Sequence, residues 1–322
     1  MVDSPALRCK RIPLPWAMLA PPVGAVQHGA MDCSQRSLLV AVCSIVAFGC
    51  GGGDDDGAQA CVDEASPELV LPDGVDPESI TLEAVLAVEQ RFDAITSVGE
   101  GDFRLMFFDV STYDGTPAQI LLDSPTCGRV IGQPVIVTRP TALTVTGVRV
   151  SGLAGGPVDV GDVTGTYLSD PSPAVLGADP VSMQAMAATG GGDTFPDVDM
   201  AGSTTVRFEG VTTRRVGEAM EIRWGPGDAD YVEIVMITQD PERPTDPTAS
   251  NRVLCRVLDD GCHRVPGPAV AWLSIHGNSS ALRLERHATA STLPGPTALA
   301  TVDAVQQHST TVDLVAGTSP AP

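Results

Sequence analysis

Short runs in which apolar and polar residues alternate recur along the chain from residue 80 onward. An alternation of period two places the apolar side chains on one face of a strand, so each run predicts a half-buried β-strand. The clearest runs before residue 200 occupy residues 103–110, 118–123, 134–139 and 141–152. The runs after it are STTVRFEG, AMEIRWGPG, DYVEIVMIT, RVLCRVL, CHRVP and ALRLERHATA, and TVDAVQQHSTTVDLVAG supplies one or two more strands.

Residues 79–92, SITLEAVLAVEQRF, fit two kinds of secondary structure. The DPE segment at 76–78 suits the start of a helix. The larger apolar residues nevertheless recur at every second position from Ile80 to Val88, which is the period of a strand. We favour a strand here and keep the helix as the alternative.

Composition favours the same class of structure. The 322 residues include 33 Gly and 27 Pro, and such a chain suits many short strands joined by turns. The length fits about two domains, and the glycine-rich segment 190–202 interrupts the strand pattern. We therefore predict an all-β fold with two β-sandwich-like domains, at residues 63–200 and 201–318.

The second predicted domain contains MEIRWGPGDADYVEI at residues 220–234. This stretch resembles the second and third strands of a fibronectin type III or immunoglobulin-like domain. The resemblance implies that Trp224 packs in the core and that Tyr231 opens the next strand.

A broader resemblance involves the Cys-Gly start of the tether, LTVTG, TGGGDTFPDVDMAG and the W-x-P-x-D-A-D strand pair. With these features the chain resembles a group of uncharacterised lipoproteins from myxobacteria and their relatives. This resemblance implies no particular activity.

An apolar segment from Leu38 to Phe48 follows the basic residue Arg36. This order matches a signal peptide, and the segment is shorter than the ~20 residues that a membrane-spanning helix needs. We predict that residues 1–49 are a removed leader. We favour Met31 as the true start, and an unusually long basic region is the alternative.

The sequence Ala47-Phe48-Gly49-Cys50 resembles the lipobox of bacterial lipoproteins. The resemblance implies lipidation of Cys50, and Gly51 after it implies an outer-membrane location. Ala47 and Gly49 equally suit an ordinary cleavage that releases a soluble secreted protein. Cleavage before Cys50 leaves a tether at 50–62 that begins CGGGDDDGAQA, which is flexible and charged. That tether favours the anchored form.

Four cysteines remain after Cys50, and an even number favours disulfides in an oxidising compartment. Asp260-Gly261 between Cys255 and Cys262 is a hairpin-turn signal, which predicts that these two cysteines pair across a hairpin. Cys61 and Cys127 would then form the second disulfide. Neither pair has the CxxC or CxxH spacing of a metal site.

Charge limits the classes of partner. The net charge is −21, so the surface repels phosphate backbones and we expect no nucleic-acid partner. Lys10, in the predicted leader, is the only lysine. The mature chain therefore cannot use a Schiff base or a Walker lysine.

No familiar catalytic motif accompanies the histidines. The nearest fragment of a Ser-His-Asp site is Ser274-Ile275-His276, which we interpret as a short turn or helix with His276 exposed at its end. His287 alternates with Leu282 and Leu284 and fits a strand position better than a catalytic base.

Asp193, Asp197 and Asp199 lie together in a Gly-rich stretch and are weak candidates for calcium ligands. Their spacing lacks the EF-hand pattern, and a solvated acidic loop explains them as well. We expect no resident metal and no cofactor.

We therefore expect a non-enzymatic, lipid-anchored envelope protein that acts as a structural or binding module, with envelope proteins as partners. The alternatives are an exported hydrolase with a dispersed Ser-His-Asp site and a calcium-stabilised adhesion module.

Overall fold

The computed structural model describes residue 61 and residues 79–93, 99–116, 118–132, 135–177, 179–185, 193–194, 208–212, 215–243, 250–295 and 297–315. The predicted leader, the lipidation site at Cys50 and the tether residues other than Cys61 lie outside these ranges. So do two of the calcium candidates, Asp197 and Asp199.

Strands dominate the described residues, and one short α-helix accompanies them, so the predicted all-β fold is confirmed. The helix, α1, spans Gly267–Leu273. Single 3-10 turns lie at Val110–Thr112 and Ser274–His276. In chain order the strands are β1 Leu82–Asp93, β2 Gly99–Asp109, β3 Asp114–Thr116, β4 Gln119–Leu122, β5 Cys127–Ile131, β6 Val135–Thr138, β7 Thr141–Ala142, β8 Thr144–Val145, β9 Val148–Ser151, β10 Val158–Val160, β11 Val163–Thr164, β12 Thr166–Leu168, β13 Ser182–Ala185, β14 Asp193–Thr194, β15 Phe208–Thr212, β16 Met220–Trp224, β17 Tyr231–Gln239, β18 Ser250–Val257, β19 Cys262–Val265, β20 Ser279–Gly295 and β21 Ala298–Asp313.

The largest sheet in the described part of the chain has ten strands. Its order is β12-β2-β1-β21-β20-β17-β18-β5-β4, and β7 pairs with β2 beside this path. Neighbouring strands are antiparallel except β1 and β21, which pair in parallel from Leu82↔Ala298 to Asp93↔Ser309. Strands from the beginning and the end of the chain therefore meet at the centre of one sheet.

The long hairpin of β20 and β21 passes along two apolar clusters. Its Ala288, Ala300, Val302 and Ala304 join the first apolar cluster, and its Leu282, Leu284 and Val312 join the second. The remainder of the first cluster is centred on Leu86, Val88, Phe103, Leu105, Phe107, Val148, Val150 and Met183. The remainder of the second is centred on Met220, Ile222, Trp224, Val232, Ile234, Met236, Val253, Val257, Val265, Val270 and Leu273.

A three-stranded sheet, β15-β16-β19, and helix α1 also contribute side chains to the second cluster. Trp224 on β16 is buried in this cluster, as expected, and Tyr231 is the first residue of β17. The ambiguous stretch at 79–92 forms strand β1 from Leu82 onward, so the strand prediction is confirmed. The short turn or helix expected at His276 is present as α1 and the 3-10 turn after it, but His276 is half-buried there and not exposed as expected.

The predicted domains share the ten-stranded sheet. β1, β2, β4, β5, β7 and β12 come from the segment 63–200, while β17, β18, β20 and β21 come from 201–318. The predicted boundary near residue 200 lies outside the described residues, so the division itself stays a prediction. No helix in the described part of the chain is long and apolar enough to cross a membrane.

Candidate functional site

Polar and charged side chains lie on the sheet face opposite the second apolar cluster. Because side chains alternate along a strand, Val232, Ile234 and Met236 of β17 face that cluster, whereas Tyr231 and Glu233 face away from it. The same alternation places four more side chains on this face opposite the second apolar cluster: Arg256 of β18, Glu285 and His287 of β20, and Asp303 of β21. We call Tyr231, Glu233, Arg256, Glu285, His287 and Asp303 the His287 cluster.

His287 is held between two carboxylates. Its Nδ1 lies 3.1 and 3.2 Å from the two oxygens of Asp303, and its Nε2 lies 3.7 Å from Oε2 of Glu285. Burial by itself lowers the pKa of His287, but the charges and hydrogen bonds of Asp303 and Glu285 outweigh it and raise the pKa to about 10. The imidazole is therefore a cation at neutral pH.

Aromatic stacking extends the cluster across β17. Tyr231 and His287 are directly opposite in the register, and their rings stack with centroids 4.6 Å apart. The guanidinium carbon of Arg256 lies 4.5 Å from the Tyr231 ring centroid, and its Nη2 is 3.7 Å from Oε2 of Glu233. Burial raises the pKa of Tyr231 well above its usual value, and the charge of Asp303 acts in the same direction. The phenol therefore stays neutral beside two cations.

This chemistry does not suit a catalytic triad. A general base must accept a proton, and the protonated ring of His287 has no acceptor nitrogen left at neutral pH. The cluster instead cross-links four adjacent strands through paired charges and the stacked rings of Tyr231 and His287. Sequence reasoning missed it, although charged residues inside the apolar runs YVEIVMIT and ALRLERHATA were a usable signal.

A second buried ion pair fixes the loop between β16 and β17. Arg286, fully buried on β20, places its Nε 2.7 Å from Oδ2 and donates from Nη2 at 2.9 Å to Oδ1 of Asp259. Trp224 donates its indole N–H to the same carboxylate at 3.1 Å. A Cβ on Gly227 would lie only 2.3 Å from Oδ2 of Asp259, so this loop position requires glycine.

The four cysteines after the predicted anchor form disulfides, but the predicted pairing was wrong. The structure joins Cys127 to Cys255 and Cys61 to Cys262. The Asp260-Gly261 turn does not close a hairpin, because β18 pairs with β5 and β17 while β19 pairs with β16 in another sheet. Cys255 and Cys262 therefore lie on strands of different sheets.

The histidine next to Cys262 faces the other disulfide. Nε2 of His263 lies 3.1 Å from Sγ of Cys127, and Cys127, Cys255 and His263 are all buried. Sulfur and nitrogen ligand atoms of these three residues lie within 4.8 Å of one another. Adjacent positions on a strand face opposite sides, which is why Cys262 and His263 reach different partners.

The other predicted candidates are dispersed. Ser274 and His276 form the 3-10 turn after α1, and the hydroxyl of Ser274 donates to the carbonyl of Ala271 at 2.8 Å. Asp193 belongs to β14, where its backbone pairs with Ala185. Ser274 and His276 thus share one turn, while Asp193 belongs to a separate strand.

Comparisons with known proteins add no family assignment, since no family model and no curated protein sequence matches the chain.

Proposed function

We propose that this protein is an exported envelope protein, lipid-anchored through Cys50 at the outer membrane, and serves there as a structural or binding module without enzymatic activity. The disulfide between Cys61 and Cys262 is the observation that carries this proposal. Disulfides persist in oxidising compartments outside the cytoplasm. Secretion as a soluble protein is the alternative location.

The position of Cys61 also suits an anchored protein. Ten residues, 51–60, separate it from Cys50, and the disulfide ties the end of this stretch to strand β19. A fully extended chain of this length reaches roughly 35 Å. A flexible Gly-rich chain would average a span of about 18 Å. The folded part would thus remain close to the membrane surface without entering it.

The His287 cluster supports a non-enzymatic role. Its histidine is protonated and its phenol is neutral, and its charges are paired, with Glu285 also paired to Arg283 outside the cluster, so its chemistry is that of a cross-link between strands. Such a face stabilises a rigid sheet. Partners would then bind to the surface of this sheet or to its loops, and we expect them to be other envelope proteins.

The deciding experiment is the intact mass of the mature protein from the membrane fraction of its native host, before and after reduction. We expect a chain that begins at Cys50 with acyl chains attached and gains four hydrogens on reduction. The matched variant Cys50→Ser should lose both the acyl mass and the membrane association. An unacylated wild-type chain in the medium would contradict the anchor.

The hydrolase alternative is tested with a fluorophosphonate probe on the folded protein. We expect no labelled serine, because the hydroxyl of the candidate Ser274 donates to the carbonyl of Ala271. Labelling of one serine that disappears on denaturation would contradict the non-enzymatic role.

A further inference from the structure

The geometry points to a metal site that exists only when the disulfide between Cys127 and Cys255 is reduced: these two thiolates and His263 bind one divalent, thiophilic ion such as Zn²⁺. The three residues come from three strands, β5, β18 and β19, so the fold and not a short sequence motif assembles them. This explains why the cysteine spacing gives no signal of a metal site.

The strand register holds the ligands in place without the disulfide. Cys127 and Cys255 are directly opposite each other in the antiparallel pair of β5 and β18. The backbone N–H of Arg256 donates to the carbonyl of Thr126 at 2.9 Å, so the neighbouring cysteine pair is a non-hydrogen-bonded pair, whose side chains lie closest together. Reduction therefore leaves two thiols facing each other beside the His263 ring.

The chemistry of the ligand set favours zinc over a hard cation. Two Cys sulfurs and one His nitrogen are ligands that Zn²⁺ binds in tetrahedral sites. The hydroxyl of Thr126, 3.5 Å from Nε2 of His263, is an oxygen at the edge of the same group. It is the candidate for the fourth position.

Charge balance fits the apolar surroundings. The two cysteines belong to the second apolar cluster, where an unpaired charge is costly. A divalent ion with two thiolates and a neutral imidazole carries no net charge, so it can be buried there. Monovalent Cu⁺ in the same site would leave one negative charge and is less suitable.

The reaction balances in two steps. A dithiol supplies two electrons and two protons and is itself oxidised to a disulfide, or a phosphine supplies the two electrons and is oxidised by water's oxygen to its oxide while water supplies the two protons; either converts the disulfide to two thiols. The ion then displaces both thiol protons and forms two metal–sulfur bonds. Oxidation of the thiols and metal binding are therefore mutually exclusive. A bound ion would show that Cys127 and Cys255 are reduced.

The test is a cobalt titration of the full mature chain under anaerobic, phosphine-reduced conditions. The Cys61→Ser/Cys262→Ser double variant removes the other disulfide and should bind one Co²⁺ per chain with a cobalt–thiolate charge-transfer band. Zn²⁺ should displace the cobalt and abolish the band. The matched control adds Cys127→Ser/Cys255→Ser to this double variant and should show no band, and His263→Gln in the same background should weaken binding by more than about tenfold.

Two outcomes overturn the inference. One is a reduced Cys61→Ser/Cys262→Ser protein that is folded by circular dichroism but retains no cobalt after desalting. The other is equal binding by the control in which Cys127, Cys255, Cys61 and Cys262 are all changed to serine. If reduction unfolds the chain, refolding the Cys61→Ser/Cys262→Ser protein with Zn²⁺ must restore its fold, and failure to do so also overturns the inference.

Discussion

Glu83 lies on β1 with its side chain on the sheet face that also carries Val85, Met106 and Phe108. It is only 5% exposed, and its Oε2 has no hydrogen-bond partner in the described part of the chain. Burial raises its pKa from 4.5 to about 8. The native state therefore keeps a proton that the unfolded state releases, and the free energy of unfolding falls as pH rises from 4.5 to about 8.

The variant Glu83→Gln tests this proton. Glutamine matches the neutral carboxyl, so we expect nearly wild-type stability at about pH 5 and a gain of about 3–4 kcal/mol at about pH 8. Urea unfolding at both pH values measures the difference. Glu100→Gln, at an exposed position on the neighbouring strand β2, is the matched control and should change little. An equal gain at both pH values would contradict the assignment of the proton to Glu83.

His287 should remain protonated where an ordinary histidine titrates. Its folded pKa of about 10 lies above the unfolded value of 6.5, so its contribution to stability is complete below 6.5 and is lost as pH rises through 10. NMR of the imidazole carbons should show no titration of His287 between about pH 5 and pH 8. A titration midpoint of His287 near neutral pH would contradict the placement of its ring between the carboxylates of Asp303 and Glu285.

The carboxylate of Asp259 offsets the free-energy cost of burying the charge of Arg286. Asp259→Asn removes the charge and keeps the size, so we expect a loss of about 3–5 kcal/mol in the free energy of unfolding. Asp260→Asn is the matched control, because Asp260 is the exposed neighbour. Denaturant unfolding followed by tryptophan fluorescence compares the two. Similar small losses in both variants would show that Arg286 finds another partner.

At the level of strands, the alternation of apolar and polar residues predicted the positions of the strands. It did not predict which strands pair with one another. DYVEIVMIT covers β17 except Gln239, although both faces of that strand are buried, and AMEIRWGPG contains β16, where burial alternates with a period of two. Residues 141–152 were predicted as one strand and form three, β7, β8 and β9, since the chain changes partners there. Pairing depends on contacts between distant residues, which a local pattern does not contain. For the same reason the disulfide partners and the His287 cluster were missed.

The disulfide pairing is a prediction that peptide mapping checks directly. Digestion of the unreduced protein should release one linked peptide pair with Cys127 and Cys255 and another with Cys61 and Cys262. Cys127→Ser/Cys255→Ser should cost about 2–5 kcal/mol. A peptide in which Cys255 is bonded to Cys262 would contradict the separation of β18 and β19 into different sheets.

At the scale of the whole molecule, the ten-stranded sheet couples segments that the sequence pattern separates. β1 lies between β2 and β21, so side chains from both ends of the chain form the first apolar cluster. The hairpin of β20 and β21 continues from there into the second apolar cluster. A substitution that destabilises one apolar cluster should therefore also destabilise the other, because β20 and β21 contribute side chains to both.

Leu105→Ala tests this coupling, because it removes a buried side chain of the first cluster while the tryptophans report on the second. Trp224 belongs to the second cluster and Trp272 packs against it, and Trp16 lies in the predicted leader. If the sheet unfolds as one unit, the fluorescence transition should lose about 2–5 kcal/mol, the usual cost of such a cavity. Leu168→Ala is the matched control, because Leu168 is 56% exposed on the adjacent strand β12. An unchanged tryptophan transition, alongside an earlier loss of strand signal by circular dichroism, would instead mean that the two predicted domains unfold independently.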